Sequence, residues 1–222
     1  MHVCITGANR GIGLELARLY VARGDQVTAT TRGAVPADLK DRAAWHKLDV
    51  TDLNSLAAFR SDLAGGALDL LICNAGMLND RRERVSDGYA PDLWAECFAV
   101  NVTGVFQTVQ AVLPELRAAN AGKIAIIASK MGSDSYPGGN SLIYRSSKAA
   151  AINLARNLAL DLSTQNIAVG AYHPGWVQTD MGGAAADISA VASATGLQAA
   201  FDALSPATTG CFQNYDGTDL PH

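Results

Sequence analysis

Short runs of aliphatic and β-branched residues alternate with longer helical patterns along the whole chain, and this alternation limits the fold more than any other feature. Runs such as Leu70–Ile72 and Ile124–Ile127 are apolar at every position, as strands buried on both faces of a sheet are. Strands separated by helices are connected by crossovers that place neighbouring strands parallel. The pattern therefore predicts an α/β fold: one doubly wound parallel sheet of about seven strands with helices on both faces.

The alternation also gives approximate bounds for each element. The predicted strands are His2–Thr6, Val27–Thr31, Trp45–Val50, Leu68–Cys73, Lys123–Ala128, Ile167–Tyr172 and Cys211–Tyr215. The predicted helices are Gly11–Arg23, Leu53–Leu63, Asp92–Ala118, Tyr144–Ser163 and Leu197–Leu204. Because no repeat, low-complexity tract or linker interrupts this series, we expect residues 1–222 to form a single domain.

Charge and composition argue against several classes of protein. The net charge is -4, whereas binding to nucleic acid requires clustered Lys and Arg, so we expect no nucleic-acid partner. We expect no metal site, since the four cysteines lack C-x-x-C spacing and the four histidines are scattered. The sequence shows neither a leader pattern nor an apolar run of about 20 residues, so we expect a cytoplasmic protein without membrane contact.

The glycine-rich segment Thr6–Gly13 joins the first strand to the first helix. Its glycines permit close approach of a ligand, and the free N–H groups of a helix N-terminus attract a pyrophosphate. Taken alone, the motif could equally be a packing device where a helix lies close to a sheet. We expect it to bind a dinucleotide through Gly7, Asn9, Arg10, Gly11, Ile12 and Gly13.

Tyr144 and Lys148 are four residues apart at the start of a predicted helix, so their side chains share one face. A nearby ammonium stabilises a phenolate and should lower the pKa of Tyr144, which makes this phenol a suitable acid or base. By spacing alone, the pair could be two residues of a solvated helix face. The glycine-rich loop and a serine-bearing loop after the fifth strand favour the catalytic interpretation.

Several motifs follow one another in a fixed order: the glycines of residues 7–13, Asn74-Ala75-Gly76, Asn101 in Asn-Val-Thr-Gly, Ser129, Tyr144-x-x-x-Lys148 and Pro174-Gly175. In this order the chain resembles the single-domain short-chain dehydrogenase/reductase family, from residue 2 to its end. The segment 210–221 is similar to the C-factor and sniffer-type carbonyl reductase branch of that family. The resemblance implies a single-domain Rossmann-type fold.

The resemblance also implies a catalytic tetrad of Asn101, Ser129, Tyr144 and Lys148. Ser129 would hold the substrate oxygen against Tyr144, with the serines at positions 133 and 135 as weaker alternatives. Lys148 would bind the nicotinamide ribose, and Asn101 would fix a water that joins Lys148 to solvent. Asn101 could also be a buried amide that satisfies backbone groups of its helix, and both roles are compatible.

For the cofactor, the resemblance points to the residue that closes the second strand. NAD-preferring relatives have an acidic residue there, whereas this chain has Thr31 followed by Arg32. A 2′-phosphate would not be repelled, and Arg32 with Arg10 could bind it through charge-assisted bonds. We therefore expect NADP(H) to be favoured over NAD(H), with solvated arginines as the alternative interpretation.

Further cofactor contacts are implied by matching positions. Asp49 would accept a hydrogen bond from the adenine amine, or could instead cap the helix that starts near Asp52. Thr179 would bond the carboxamide or a phosphate. The implied set is Asp49, Val50, Asn74, Ala75, Gly76, Tyr144, Lys148, Pro174, Gly175, Val177 and Thr179.

These observations predict an NADP(H)-dependent oxidoreductase that transfers a hydride between nicotinamide and a small carbonyl or alcohol substrate, with Tyr144 as general acid/base. The alternative is a dinucleotide-binding regulatory or signalling protein with little turnover. An epimerase or dehydratase is disfavoured because the chain lacks room for a C-terminal substrate domain. We expect a mobile substrate-binding segment after Met181, and a homodimer or homotetramer formed through helices 92–118 and 144–163.

Overall fold

The computed structural model describes residues 1–63 and 65–222, and its main feature is a seven-stranded parallel sheet. The strands are β1 His2–Ile5, β2 Gln26–Thr31, β3 Ala44–Lys47, β4 Leu70–Cys73, β5 Gly122–Ile127, β6 Ile167–His173, β7 Val177–Gln178, β8 Ile188–Ser189 and β9 Phe212–Asn214. The sheet order is β3-β2-β1-β4-β5-β6-β9, while β7 and β8 pair separately. The strand order reverses at β1, as in a Rossmann-type doubly wound sheet, which confirms the predicted fold class.

The helices of the described residues cover both faces of this sheet. They are α1 Gly11–Arg23, α2 Leu53–Leu63, α3 Pro91–Phe98, α4 Gly104–Ala118, α5 Leu142–Asp161 and α6 Ala190–Ala203. A π-helical turn, Ala99–Thr103, joins α3 to α4. Helices α1 and α2 have the predicted bounds.

Some predicted bounds of strands and helices are wrong: the helix predicted over Asp92–Ala118 is divided by the π-helical turn, and the one predicted over Tyr144–Ser163 spans Leu142–Asp161. The strand predicted over Trp45–Val50 ends at Lys47, because residues 48–50 leave the sheet and line a cavity. The helix predicted from Leu197 begins at Ala190, where the Ser189 hydroxyl accepts a hydrogen bond from the Ala192 N–H at 3.1 Å. The segment after Met181, predicted to be mobile, contains β8, which pairs with β7.

Two apolar clusters hold the helices on the sheet. Helices α2, α4 and α5 cover one face with residues such as Phe59, Val112 and Leu158. Helices α1 and α6 cover the other face, where Leu16 and Phe201 are fully buried. Burial of each such side chain stabilises the fold by about 1.5–3 kcal/mol, so the core fixes the strand ends that carry the functional loops.

The helical segment Pro91–Ala118 is 28 residues long and has an 18-residue window of mean hydropathy 1.3. By length and composition alone it could cross a membrane, which is weak evidence for a membrane span. The core helix of a globular protein meets the same criterion. Val109, Val112 and Leu116 of this segment pack in the core against the sheet, which accounts for much of its apolar character.

Candidate active site

A cavity of about 580 Å³ lies at the carboxyl ends of the strands, where ligands of doubly wound sheets bind. Fifteen of the predicted site residues line it: Gly7, Asn9, Arg10, Gly11, Ile12, Arg32, Asp49, Val50, Asn74, Ala75, Gly76, Tyr144, Lys148, Pro174 and Thr179. The predicted residues outside its lining are Gly13, Asn101, Ser129, Gly175 and Val177. The structure thus brings together the glycine-rich loop and the proposed catalytic pair.

Sequence reasoning did not assign several lining residues to the site. They are Glu15, Thr30, Thr31, Gly33, Leu48, Val100, Ile127, Ala128, Gln178, Asp180, Met181 and Ala190. Many are immediate neighbours of predicted residues at strand ends. Their position directly after a strand, rather than their residue type, could therefore have identified them in the sequence. Val100 had no such signal, because the π-helical turn that carries it was not predicted.

The glycine-rich loop and the Asn74-Ala75-Gly76 triplet form one hydrogen-bonded unit. Asn74 Nδ2 donates to the carbonyls of Thr6 at 2.9 Å and Gly7 at 3.0 Å. Gly7 and Gly11 have φ values of +65° and +56°, which favour glycine. A Cβ at Gly13 would lie 2.4 Å from Asn74 Nδ2. Gly13 is therefore a packing glycine, while Gly7 and Gly11 shape the cavity wall.

The two arginines predicted to bind a phosphate both line the cavity, and each is paired with an aspartate. Arg10 Nη1 lies 2.6 Å from Asp180 Oδ2, and Arg32 Nη1 lies 3.5 Å from Asp49 Oδ2. Their side chains are 69% and 65% exposed. Exposed ion pairs of this kind contribute little stability, about 0–1 kcal/mol, so both guanidinium groups can turn towards an anionic ligand at low cost.

Asp49 lies in a turn before α2, at the cavity. Its Oδ1 accepts hydrogen bonds from the Thr51 N–H at 3.0 Å and the Thr51 hydroxyl at 2.7 Å. These bonds, led by the one from the backbone, keep the pKa of Asp49 below its ordinary value. The first turn of α2 is instead capped by Asp52, whose Oδ1 accepts from the Asn54 N–H at 2.9 Å. Asp49 therefore does not cap α2.

Tyr144 and Lys148 lie in the first turns of α5 and are buried, with 8% and 5% of their surface exposed. The Lys148 ammonium donates a hydrogen bond to the Ile127 carbonyl at 2.8 Å and lies 5.7 Å from the centre of the Tyr144 ring. Two buried polar side chains that line one cavity are not a solvated helix face. The structure therefore contradicts that alternative.

The pKa of Tyr144 departs from the prediction. Burial raises it to about 12, because a phenolate is poorly solvated inside the protein, and a hydrogen bond with the Ser129 hydroxyl offsets part of this rise. Burial also lowers the pKa of Lys148 to about 8. Desolvation therefore outweighs the expected effect of the ammonium on the phenol. The chain's own groups keep Tyr144 protonated at neutral pH, in the form that can donate a proton.

Ser129 is the serine whose side chain influences Tyr144, because it lowers the pKa of the phenol. Its hydroxyl accepts a hydrogen bond from the Met131 N–H at 3.2 Å, which caps a short 3-10 helix, Lys130–Gly132. The Ser133 hydroxyl accepts from the Ser135 N–H at 3.2 Å, so these two serines are engaged with each other. The geometry favours Ser129 over both alternatives.

Asn101 lies behind the cavity, in the π-helical turn. Its Oδ1 accepts from the Met77 N–H at 2.8 Å, and its Nδ2 donates to the Met77 carbonyl and to Ser147 Oγ, both at 2.9 Å. Ser147 Oγ in turn donates to the Tyr144 carbonyl at 2.8 Å. Asn101 therefore satisfies backbone groups of the loop after β4 rather than those of its own helix, and it connects this loop to the helix of Tyr144. Sequence reasoning missed Met77 and Ser147.

A cavity at the switch point of a doubly wound sheet, with a glycine-rich turn and a buried tyrosine–lysine pair, defines a dinucleotide-dependent oxidoreductase. The family model described as short chain dehydrogenase matches residues 1–188. The chain belongs to this family and is an NAD(P)-dependent oxidoreductase that acts on CH–OH or C=O groups of small molecules.

Individual relatives lie within the predicted branch. The C-signal of Myxococcus xanthus is 35% identical over 167 residues, which are 75% of this chain and 99% of that protein. The structure of an NADPH-bound carbonyl reductase from chicken fatty liver has a TM-score of 0.90 at 31% identity, covering 100% of this chain and 98% of that one. Carbonyl reductase Sniffer of D. melanogaster gives 0.92 at 25% identity, covering 100% and 99%. These similarities support the carbonyl reductase branch.

Proposed function

We propose that the chain is an NADP(H)-dependent reductase of small aldehydes or ketones, with Tyr144 as the proton donor. The observation that carries this proposal is the position of the buried Tyr144 in the same cavity as the glycine-rich loop. Burial raises the pKa of Tyr144, which favours the protonated form. The cavity residues would hold the nicotinamide cofactor, which when bound would supply a hydride for the carbonyl carbon. Tyr144 donates its proton to the developing alkoxide while the Ser129 hydroxyl donates a hydrogen bond to the same oxygen.

The residues of the cavity fit a dinucleotide. Helix α1 begins after Arg10, which makes no side-chain cap, so its first N–H groups are available to a pyrophosphate. A Cβ at Gly76 would lie 3.4 Å from Asn101 Oδ1 and 3.6 Å from Lys148 Nζ. The bare glycine thus leaves space beside the lysine that would bind ribose hydroxyls. Thr179, Asn9 and Val50 line the same cavity.

The preference for NADP(H) is supported by charge at the outer end of the cavity. The β2 strand ends at Thr31, whose Oγ1 accepts from the Gly33 N–H at 2.9 Å, so no acidic side chain stands at this position. Arg10 and Arg32 can exchange their exposed aspartate partners for a 2′-phosphate. Since a phosphate offers more acceptor oxygens than either carboxylate, this exchange favours the phosphorylated cofactor.

The test is NADPH oxidation by the purified protein with a panel of aldehydes and activated ketones, compared with Tyr144→Phe. The Phe variant keeps the ring but loses the proton, so we expect its kcat to fall by about 10²- to 10⁴-fold. Its NADPH dissociation constant, followed by fluorescence, should not change. A Phe variant as active as the wild type would refute the mechanism. Tight NADPH binding without turnover of any compound would favour the regulatory alternative.

We further propose a cytoplasmic homodimer or homotetramer assembled through the segments 92–118 and 144–163. Phe106 on α4 and Leu160 on α5 support the interface, because both are large apolar side chains exposed to solvent, Leu160 by 77%. The location is supported by cysteines that remain free thiols, namely Cys4, Cys73, Cys97 and Cys211. Light scattering tests the assembly: a monomer mass would refute it, and Leu160→Glu should shift an oligomer towards monomer.

A further inference from the structure

Asp80 is a fully buried carboxyl group in the loop that follows β4, with 0% of its surface exposed. Its Oδ2 accepts a hydrogen bond from the Ile143 N–H at 2.7 Å. Ile143 is the second residue of α5 and directly precedes Tyr144. Within residues 1–63 and 65–222, Oδ1 of Asp80 has no hydrogen-bond partner and no cation forms an ion pair with it. Such a buried acidic group is costly, so its position requires an explanation.

The start of α5 explains the contact. The first N–H groups of a helix have no partner within it, and a polar residue directly before the helix usually accepts from one of them. Here that residue is Ser141, whose backbone is left-handed at φ +48° and whose side chain makes no such bond. Asp80 takes over this role from a distant part of the chain, and its carboxyl group lies at the positive end of the helix dipole.

The loop that carries Asp80 also carries the nucleotide triplet. Residues 74–76 line the cavity, and both backbone groups of Met77 are held by Asn101 at 2.8 and 2.9 Å. Asp80 follows three residues later and bonds to α5. The loop 74–80 therefore connects the wall of the nucleotide cavity to the helix of Tyr144. Asn101 attaches it through Ser147, and Asp80 attaches it through the Ile143 N–H.

We propose that Asp80 is a positioning residue for the reductase: it fixes the first turn of α5, and with it the Tyr144 hydroxyl, relative to the loop that lines the nucleotide cavity. The proposal rests on the proposed function, because it takes Tyr144 as the proton donor. Asp80 does not line the cavity and so acts through the helix rather than on the substrate. A small displacement of a reacting group is sufficient to slow catalysis strongly, which makes such a contact functionally important.

The experiment compares two substitutions that differ in the acceptor atom. Asp80→Ala removes the acceptor, and we expect kcat to fall by about 10- to 100-fold while the NADPH dissociation constant stays within about twofold of the wild type. Asp80→Asn keeps the shape and an acceptor oxygen, so most of kcat should return. Hydrogen exchange should show a protected Ile143 amide in the wild type and the Asn variant, and an unprotected one in the Ala variant.

Asp52→Ala is the matched control, because it removes an aspartate cap from α2, which does not carry the catalytic pair. Its kcat should equal that of the wild type. The proposal is overturned if Asp80→Ala loses no more kcat than Asp52→Ala, or if Asp80→Asn loses as much as Asp80→Ala. If the Ala variant does not fold, the Asn variant decides alone: a folded Asp80→Asn variant whose kcat falls by about tenfold or more overturns the proposal. An active Tyr144→Phe enzyme would refute the proposed function, whereas an inactive one beside a fully active Asp80→Ala enzyme would refute only the role of Asp80.

Discussion

Lys148→Met should make the protein more stable at neutral pH while it abolishes activity. Lys148 is buried, and its ammonium has one hydrogen-bond acceptor in the described structure, the Ile127 carbonyl at 2.8 Å. Burial lowers its pKa to about 8 from an ordinary value of 10.5, since the charged form loses its hydration. Methionine has nearly the same length and no charge.

The size of the effect follows from the two pKa values. Each tenfold change in proton affinity is worth about 1.4 kcal/mol, so the burial of charged Lys148 costs about 3 kcal/mol at pH 7. The Met variant leaves the Ile127 carbonyl without this donor, which costs about 1–2 kcal/mol. The net gain is about 2 kcal/mol, or a rise of about 4–8 °C in Tm for a chain of this length.

The pH dependence gives the sharper test. The pKa of Lys148 is lower in the folded protein than in the unfolded chain, so the unfolded chain binds more protons between about pH 8 and 10.5. The stability of the wild type relative to the Met variant therefore rises with pH across this window. Urea unfolding followed by circular dichroism should show the gain of Lys148→Met at neutral pH and its absence near pH 10. The exposed Lys40→Met serves as control, with no change expected at either pH. The reasoning would be refuted if the Met variant were no more stable than the wild type at neutral pH. It would also be refuted if the stability gain of the Met variant were the same at neutral pH and near pH 10.

Three further predictions concern the cofactor, the glycine-rich loop and acid stability. Arg32→Asp should lower kcat/KM for NADPH relative to NADH by about tenfold or more, because a carboxylate repels the 2′-phosphate; an unchanged ratio would remove Arg32 from the site. Gly13→Ala should lower the free energy of unfolding in denaturant by about 1–3 kcal/mol and weaken NADPH binding, because its Cβ would lie 2.4 Å from Asn74 Nδ2. Gly66→Ala is the control and should change neither quantity, because a Cβ there meets nothing within 4 Å. Burial, aided by Lys130, lowers the pKa of His173 to about 4 from 6.5, so the unfolded chain binds more protons in this window and stability falls as pH drops through it. When the pH falls from 6.5 to 4, the free energy of unfolding of His173→Gln should decrease by about 3 kcal/mol less than that of the wild type. Parallel profiles of unfolding free energy against pH would contradict this.

Strong local signals in the sequence were sufficient to predict the bounds of some helices. Helix α1 was bounded correctly because a glycine stands at each end, and Gly24 takes the left-handed conformation at φ +87° that ends a helix. The start of α6 was missed because residues 190–196 are mostly small and show little apolar periodicity. There the only local signal was the serine that caps the helix.

The candidate site was predicted in its residue types but not in its electrostatics. The order of motifs identified Tyr144 and Lys148, whereas the sign of the pKa change at Tyr144 depends on burial, which no local pattern reveals. The contact of Asp80 with Ile143 was equally hidden, because it joins positions 63 residues apart and involves a backbone N–H. Interactions between distant segments thus account for most of what the sequence did not predict.

The order of the strands has a consequence for how the chain acquires its structure. Every neighbouring pair in the seven-stranded sheet is parallel, and the registers join distant positions such as Val3 with Leu70 and Ala171 with Phe212. Non-local pairings of this kind slow folding, because a long loop must close before any contact is gained. During synthesis, β6 therefore has an unpaired edge until β9 has left the ribosome. We expect the nascent chain to need protection from aggregation at this edge until β9 has paired with it.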